Sequence, residues 1–372
     1  MNHSPTPPPP PITTSIDSAF WCGKRVLLTG HTGFKGAWLT LWLLRLGANI
    51  RGISLPDWPS DPNMFALLGL KDRCDHQACD IRHRDRLTPL IRDYKPEIII
   101  HMAAQALVRR SYREPIATFE TNAIGTANVL DAARDLPGLL AIVVVTTDKC
   151  YENSEWVYPY RETDPLGGHD PYSASKAAAE IVTSCYRRSF FHTGETSLAS
   201  ARAGNVIGGG DWSEDRLIVD IVRALGESRT PTIRNITATR PWQHVLEPLA
   251  GYLTLARALY ERGHAVSPAF NFGPPADQAL TVGQVVQAAI EEWGQGATWK
   301  HEPHSNAPHE AGLLMLDPSL AIRELAWRPR FNFETTIHNT MEWYKTYYAG
   351  ASAGEMLELT HSQIEAYAKK AM

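Results

Sequence analysis

The sequence predicts a doubly wound α/β fold, a largely parallel sheet with helices on both faces, and two observations carry that expectation. Apolar runs alternate with helix-length segments from Lys24 to about Arg202, and several of the runs are unbroken β-branched stretches. Strands buried on both faces of a parallel sheet read this way, whereas half-exposed strands alternate apolar with polar. Taken in order, Arg25-Val-Leu-Leu-Thr29 is a short buried strand, followed by a Gly-rich turn and a helix from Ala37 to Leu46. A second strand lies near Asn49–Ser54, and Ile98-Ile-Ile-His-Met102 and Ala141-Ile-Val-Val-Val-Thr146 are two more. Between those two, Thr118 to Arg134 has helical periodicity. Alternation of this kind builds a doubly wound sheet.

After Asn205 the texture changes. Gly208-Gly-Gly-Asp-Trp212, Pro231, Arg240-Pro-Trp-Gln-His244 and Asn271-Phe-Gly-Pro-Pro275 punctuate a mixed region rich in loops. The expected organisation is therefore a sheet domain over 19–204 and a smaller mixed substrate-binding lobe over 205–345, interleaved with the end of the sheet. A helical extension follows over 346–372, and the Pro-rich stretch 1–18 reads as a disordered, polyproline-like tail.

The 372 residues suffice for one large domain and a smaller one, and 44% hydrophobic with 20% charged residues is a globular balance. A formal charge of −4 offers nucleic acid no general attraction. No apolar run approaches the ~18 residues of a membrane span. The N-terminus lacks the basic-then-apolar order of a signal peptide. Five cysteines without a CxxC pair argue for reduced thiols in the cytoplasm, and fourteen histidines without HExxH argue for no metal.

Gly30-His-Thr32-Gly33-Phe34-Lys35-Gly36 follows the first strand and opens a helix. Glycines there permit a tight turn and close approach to a pyrophosphate, and the helix N-terminus supplies unpaired N–H groups. At the end of the second strand only Asp57 is available for the ribose; Arg51, inside the strand, is expected to be solvated, so NAD is favoured over NADP. Asp80-Ile81 fits an adenine clamp or, equally on the residues alone, a helix cap. Tyr172-Ser-Ala-Ser-Lys176 sets a phenol and an ammonium four residues apart on one helix face. The lysine is expected to lower the phenol's pKa, making Tyr172 a base for a sugar hydroxyl.

Gly30…Gly33…Gly36, His101-Met-Ala103-Ala104, the Thr146-Thr147 strand end and Tyr172…Lys176 together resemble the extended short-chain dehydrogenase/reductase family. The resemblance implies a Rossmann-type domain, a tightly held NAD and a nucleotide-sugar substrate. It would give Gly30, Thr32, Gly33, Phe34, Lys35 and Gly36 to the pyrophosphate, and Asp80 and Ile81 to the adenine end. Ala103, Ala104 and Thr146 would back the cofactor, with Tyr172 as base and Lys176 as ribose ligand. It further implies a homodimer or a dimer of dimers, packed through segments 118–134 and 170–191, whose outer faces carry Ala177, Ile181 and Cys185.

An epimerase of that family needs only the hydroxyl and the tyrosine at this level. Elimination of water also needs an acid for the departing hydroxide and a base for the neighbouring proton. Asp148, directly after Thr147, is the acid; the plainer alternative is a strand-end cap. Family dehydratases commonly carry Asp-Glu here, whereas this chain has Asp148-Lys149. With the stretches 201–212 and 240–248, that pair resembles the branch acting on CDP-glucose. Lys149 has two readings, the C5 base or a cation stabilising the enolate, and the sequence does not choose between them. A sugar nucleotide's diphosphate needs cationic donors. Arg240 is the first candidate, with Asn205, Gln105, Arg109, Tyr112, Arg216, Leu217 and His244 as further substrate ligands.

Overall fold

The computed structural model describes residues 16–275, 279–294, 296–302 and 313–370. Most of the expected tail lies outside these residues, but its last part is structured. Asp17 accepts from Ala19 N at 2.8 Å and caps a one-turn helix, Ser18–Trp21. Trp21 then joins the core.

Seven parallel strands form the central sheet: β1 (Arg25–Thr29), β2 (Asn49–Ser54), β3 (Asp75–Ala78), β4 (Ile98–His101), β5 (Ala141–Val145), β6 (Ser197–Ala203) and β7 (Ala269–Phe272). Their order is β7-β6-β5-β4-β1-β2-β3. Val26 pairs with Ile50 on one side and Ile98 on the other, so the chain reverses direction across the sheet between β1 and β4. Ligands of doubly wound sheets bind beyond the C-terminal ends of the strands at such a reversal. Every residue of β4 and β5 is buried, as their unbroken apolar runs require.

Helix α1 (Phe34–Arg45) starts three residues before the expected Ala37. Helix α2 (Arg84–Tyr94) leads into β4. The predicted 118–134 helix is a composite: Pro115–Phe119, a π turn over Glu120–Ile124, then α3 (Gly125–Ala132). Helix α4 (Pro171–Ser189) begins with Asp170 accepting from Ser173 N and with proline at its first position, where no N–H is needed.

The second region is threaded back into the first. Helix α5 (Leu217–Gly226) and short strand pairs build the outer wall, then α6 (Leu246–Arg262) returns to lie on β5 and β6 and delivers β7 to the sheet edge. Helices α7 (Phe333–Tyr348) and α8 (Ala353–Lys369) close the molecule.

Glu247, at the start of α6, clasps that closing segment. Its carboxylate accepts from Phe331 N at 2.7 Å, Arg330 N at 2.9 Å and the Tyr367 hydroxyl of α8 at 2.7 Å. Burial pushes its pKa from 4.5 up to about 7, against those hydrogen bonds. A folded-state pKa above the unfolded one means stability present at low pH and lost as pH rises through about 7. Glu247→Gln is therefore expected to gain on the wild type by on the order of 3 kcal/mol between pH 5 and pH 8. Parallel thermal melts of both proteins over that range would refute this by showing a constant difference.

Candidate active site

At the β1–α1 turn, Gly30 has φ +75°, and a Cβ there would lie 2.7 Å from Ala103 N. At Gly36 it would lie 2.2 Å from Gly30 O. The two glycines hold the strand end, the helix start and the loop after β4 in backbone contact, leaving the first N–H groups of α1 without side-chain caps. Thr29 Oγ1 accepts from Met102 N and Ala103 N and so fixes the opposite wall, with Ala104 half-buried behind it. Thr32 is buried, its N–H donating to Ser54 Oγ and its carbonyl accepting from Asn63 Nδ2. This cradle fits the pyrophosphate of a dinucleotide.

Beyond it, two expectations change. Asp57 is exposed, and Ser54, bonded to His31 Nδ1 at 3.0 Å, stands at the end of β2. Arg51 is not solvated: its Nε donates to Asp75 at 2.6 Å and its guanidinium lies 4.8 Å from the Tyr94 ring. Asp80 binds Arg82 through both its backbone N–H and its guanidinium, and Ile81 packs in the core against Gly125.

Past β5 the chain turns through a 3₁₀ turn, Asp148–Cys150, whose cap is Thr147. Thr147 Oγ1 accepts from Lys149 N at 3.3 Å and donates to Asp148 Oδ1 at 2.9 Å. Asp148 is only 1% exposed, and its Oδ2 lies so close to Gly204 that a Cβ there would meet it at 1.8 Å. From α4, Tyr172, Lys176 and Glu180 line one buried face at spacings of four. Burial pushes the Tyr172 phenol up to about 12, while its hydrogen bond to Thr147 and the nearby Arg216 charge pull it down.

Lys176 Nζ donates to Val145 O at 3.0 Å. Burial lowers Lys176 to about 8, and the Glu180 carboxylate opposes that. Thr146, expected at the cofactor, commits its hydroxyl to Glu180. Glu180 also accepts from Ser200 Oγ at 2.7 Å and from Arg202 Nη2 at 2.8 Å, and Arg202 Nη1 donates to the Tyr151 hydroxyl at 2.7 Å. One buried ion pair thus ties the Tyr–Lys helix to β5, β6 and the turn carrying Asp148.

These groups open on a cavity of about 810 Å³ between the sheet's C-terminal edge and the outer wall. Thr147, Asp148, Lys149 and Tyr172 line its floor; Arg109, Asn205, Arg216, Leu217 and Arg240 line its walls. A buried carboxyl, a hydroxyl and a tyrosine are thereby grouped beside the glycine-rich turn. The family model for GDP-mannose 4,6 dehydratase matches residues 27–340, which takes in the cradle, the Asp148 turn, Tyr172 and both walls. The chain belongs to the GDP-mannose 4,6 dehydratase family. A CDP-glucose 4,6-dehydratase from Salmonella typhimurium is 46% identical over 95% of this chain and 98% of its own length. A dTDP-glucose 4,6-dehydratase from Xanthomonas campestris is 27% identical over 86% of this chain and 93% of its own. Among solved structures, the Thermus thermophilus UDP-glucose 4-epimerase complex with NAD has a TM-score of 0.73 at 25% identity, covering 88% of this chain and 99% of that one. A Streptomyces venezuelae dTDP-glucose 4,6-dehydratase with NAD bound scores 0.75 at 24% identity, covering 87% and 98%, a likeness of fold.

Three of the expected substrate ligands, Gln105, Tyr112 and His244, do not line this cavity. His244 is fully buried between Trp38 and Phe331, and its Nδ1 accepts from Leu246 N, so it serves the core. Gln105 turns its amide back on its own loop, to Leu107 and Thr118. Tyr112 is 43% exposed and does not line the cavity. Phe34 and Lys35, expected at the pyrophosphate, line this cavity. Burial lowers Lys35 to about 8 with Arg216 and Lys176 adding to it, while Asp148 and Asp211 oppose. Asn205 adopts φ +48°, a turn geometry asparagine tolerates, as it enters the wall. Glu180 and Arg202 escaped sequence reasoning. The i+4 spacing from Lys176 signalled Glu180, but nothing local signalled its partner across the sheet. Among the described residues, no three His, Cys, Asp or Glu side chains are grouped to hold a metal ion, and no helix is long and apolar enough to cross a membrane.

Proposed function

We propose that this chain dehydrates CDP-glucose to CDP-4-dehydro-6-deoxy-glucose with NAD. The observation that carries this is the buried Asp148 carboxyl, held by Thr147 in the same cavity as Tyr172 and Lys149. An epimerase has no use for such an acid. Support for the cytidine nucleotide comes from the 46% identity to the Salmonella dehydratase over nearly its full length. The Gly30–Gly36 turn, Ala103 and Lys176 would hold the NAD, which when bound takes hydride from C4 and returns it to C6. Tyr172 removes the C4 hydroxyl proton. The 4-ketone acidifies C5, so Lys149 takes that proton first, and Asp148 then protonates the C6 oxygen as water leaves the enolate. Lys149 returns its proton to C5. Arg109, Arg216 and Arg240 meet the diphosphate.

Incubation of the purified protein with NAD and CDP-, dTDP-, GDP- or UDP-glucose tests the reading through the alkali-dependent absorbance of a 4-keto-6-deoxy sugar. Signal with CDP-glucose above the others is expected. Signal with a different nucleotide would move the substrate, and 4-epimerised sugar without it would replace dehydration by epimerisation. The same protein is proposed to be a homodimer or dimer of dimers. Ile116, Ile124 and Ile181, on the mutually packed Pro115–Ile124 and α4 segments, are 70%, 57% and 60% exposed, an apolar face suited to a second copy. Ile181→Glu is expected to give monomers in sedimentation; an unchanged oligomer would place the contact elsewhere.

A further inference from the structure

Two walls of the cavity are joined by charged bonds. Segment 106–113 meets segment 214–216: Arg109 Nη1 donates to Asp215 Oδ1 at 2.9 Å, Arg113 Nη2 to Glu214 Oε1 at 2.8 Å, and Arg216 Nη2 to the Ala106 carbonyl at 3.0 Å. The three bonds differ in what they leave for a ligand. Arg113 does not line the cavity, and Arg216 gives its N–H to a neutral acceptor and so keeps its charge for an anion. Arg109 and Asp215 both line the cavity, with side chains 29% and 28% exposed. A carboxylate therefore already neutralises one of the arginines proposed to meet the diphosphate. The Asp215 backbone sits at φ +58°, a left-handed geometry that aspartate and asparagine tolerate better than most side chains.

We propose that Asp215 tempers the grip on the nucleotide: its carboxylate holds Arg109 until an incoming diphosphate displaces it. The pair is joined through one nitrogen and one oxygen, whereas a phosphate can take two N–H groups of a guanidinium at once. A diphosphate thus exchanges with the carboxylate, and a ligand without phosphate leaves the pair intact. The Arg113–Glu214 and Arg216–Ala106 bonds keep the two segments together while Asp215 lets go, so the exchange does not part the walls. When product leaves, the carboxylate recaptures Arg109. That weakens the hold on a diphosphate that is charged alike in substrate and product.

The inference rests on Arg109 meeting the diphosphate, and the test separates the two. Asp215→Asn keeps the turn, because asparagine adopts the same backbone region, so its thermal midpoint is expected to stay close to the wild type's. Calorimetric titration is expected to show CDP bound about fivefold tighter than by the wild type, the upper worth of a partly exposed ion pair, with cytidine affinity unchanged. In turnover, KM is expected to fall with no rise in kcat. A residue that only shaped the wall would weaken binding when changed. The double variant Asp215→Asn/Arg109→Ala is expected to bind CDP no tighter than Arg109→Ala alone, because the carboxylate acts through that guanidinium. Unchanged or weakened CDP binding in Asp215→Asn, or a tightening that persists in the double variant, would overturn the proposal. Wild-type affinity for CDP in Arg109→Ala would instead overturn the diphosphate role of Arg109 beneath it, and a wild type that fails to bind CDP would overturn the nucleotide reading.

Discussion

Asp148→Asn is expected to lower product formation by roughly 10²- to 10⁴-fold, the usual worth of a positioned general acid. The carboxamide keeps the shape of the side chain and can still accept from Thr147, as Asp148 Oδ1 does at 2.9 Å. It cannot deliver a proton to the C6 oxygen. Steps before water departure survive, so substrate recovered from D₂O is expected to carry deuterium at C5. Lys149→Gln is expected to behave in the opposite way, losing product and C5 exchange together, because nothing then takes the C5 proton. These two variants, assayed side by side for product and for deuterium, divide the acid from the base. Loss of exchange in Asp148→Asn would move Asp148 to an earlier step, and retained exchange in Lys149→Gln would remove Lys149 as the base.

Glu180→Gln is expected to be the most damaging change remote from the substrate. Glu180 and Arg202 are 4% and 5% exposed, and their bond of 2.8 Å is surrounded by Thr146, Ser200 and Tyr151. Neutralising one member strands a buried guanidinium, which costs about 3–5 kcal/mol. A second effect is electrostatic. Lys176 stands at about 8 because burial lowers it and the Glu180 carboxylate raises it. Without that carboxylate it falls further, so the alkaline limb of the rate profile, where Lys176 loses its proton, moves to lower pH. The pair Glu180→Gln/Arg202→Met removes both charges and is expected to recover most of the stability while leaving the limb displaced. A limb that stays in place as stability falls would restrict Glu180 to the fold.

Tyr172 shows where local reading stops. The i+4 spacing to Lys176 was legible, because helix geometry follows from adjacent residues. The partner that bonds the phenol is Thr147, from a strand end 25 positions earlier by number, and the lysine bonds Val145 O instead. Lys35, which the resemblance gives to the pyrophosphate, lines the same cavity as Asp148 and Tyr172. His244 and Gln105 lay in motif-rich loops and looked like ligands until packing turned them inward.

By itself the sequence determined the doubly wound sheet, the tight turn that only glycine permits at Gly30 and Gly36, and the placing of Tyr172 and Lys176 on one helix face. Those features depend on unbroken apolar runs, on backbone clearance and on spacings within a single element, all short-range properties. Tertiary structure alone decided which polar groups meet the cavity and which pairs are buried together. Burial and charge proximity are set where distant segments meet. Glu180 on α4 and Arg202 on β6 are such a pair, joined at 2.8 Å in the core.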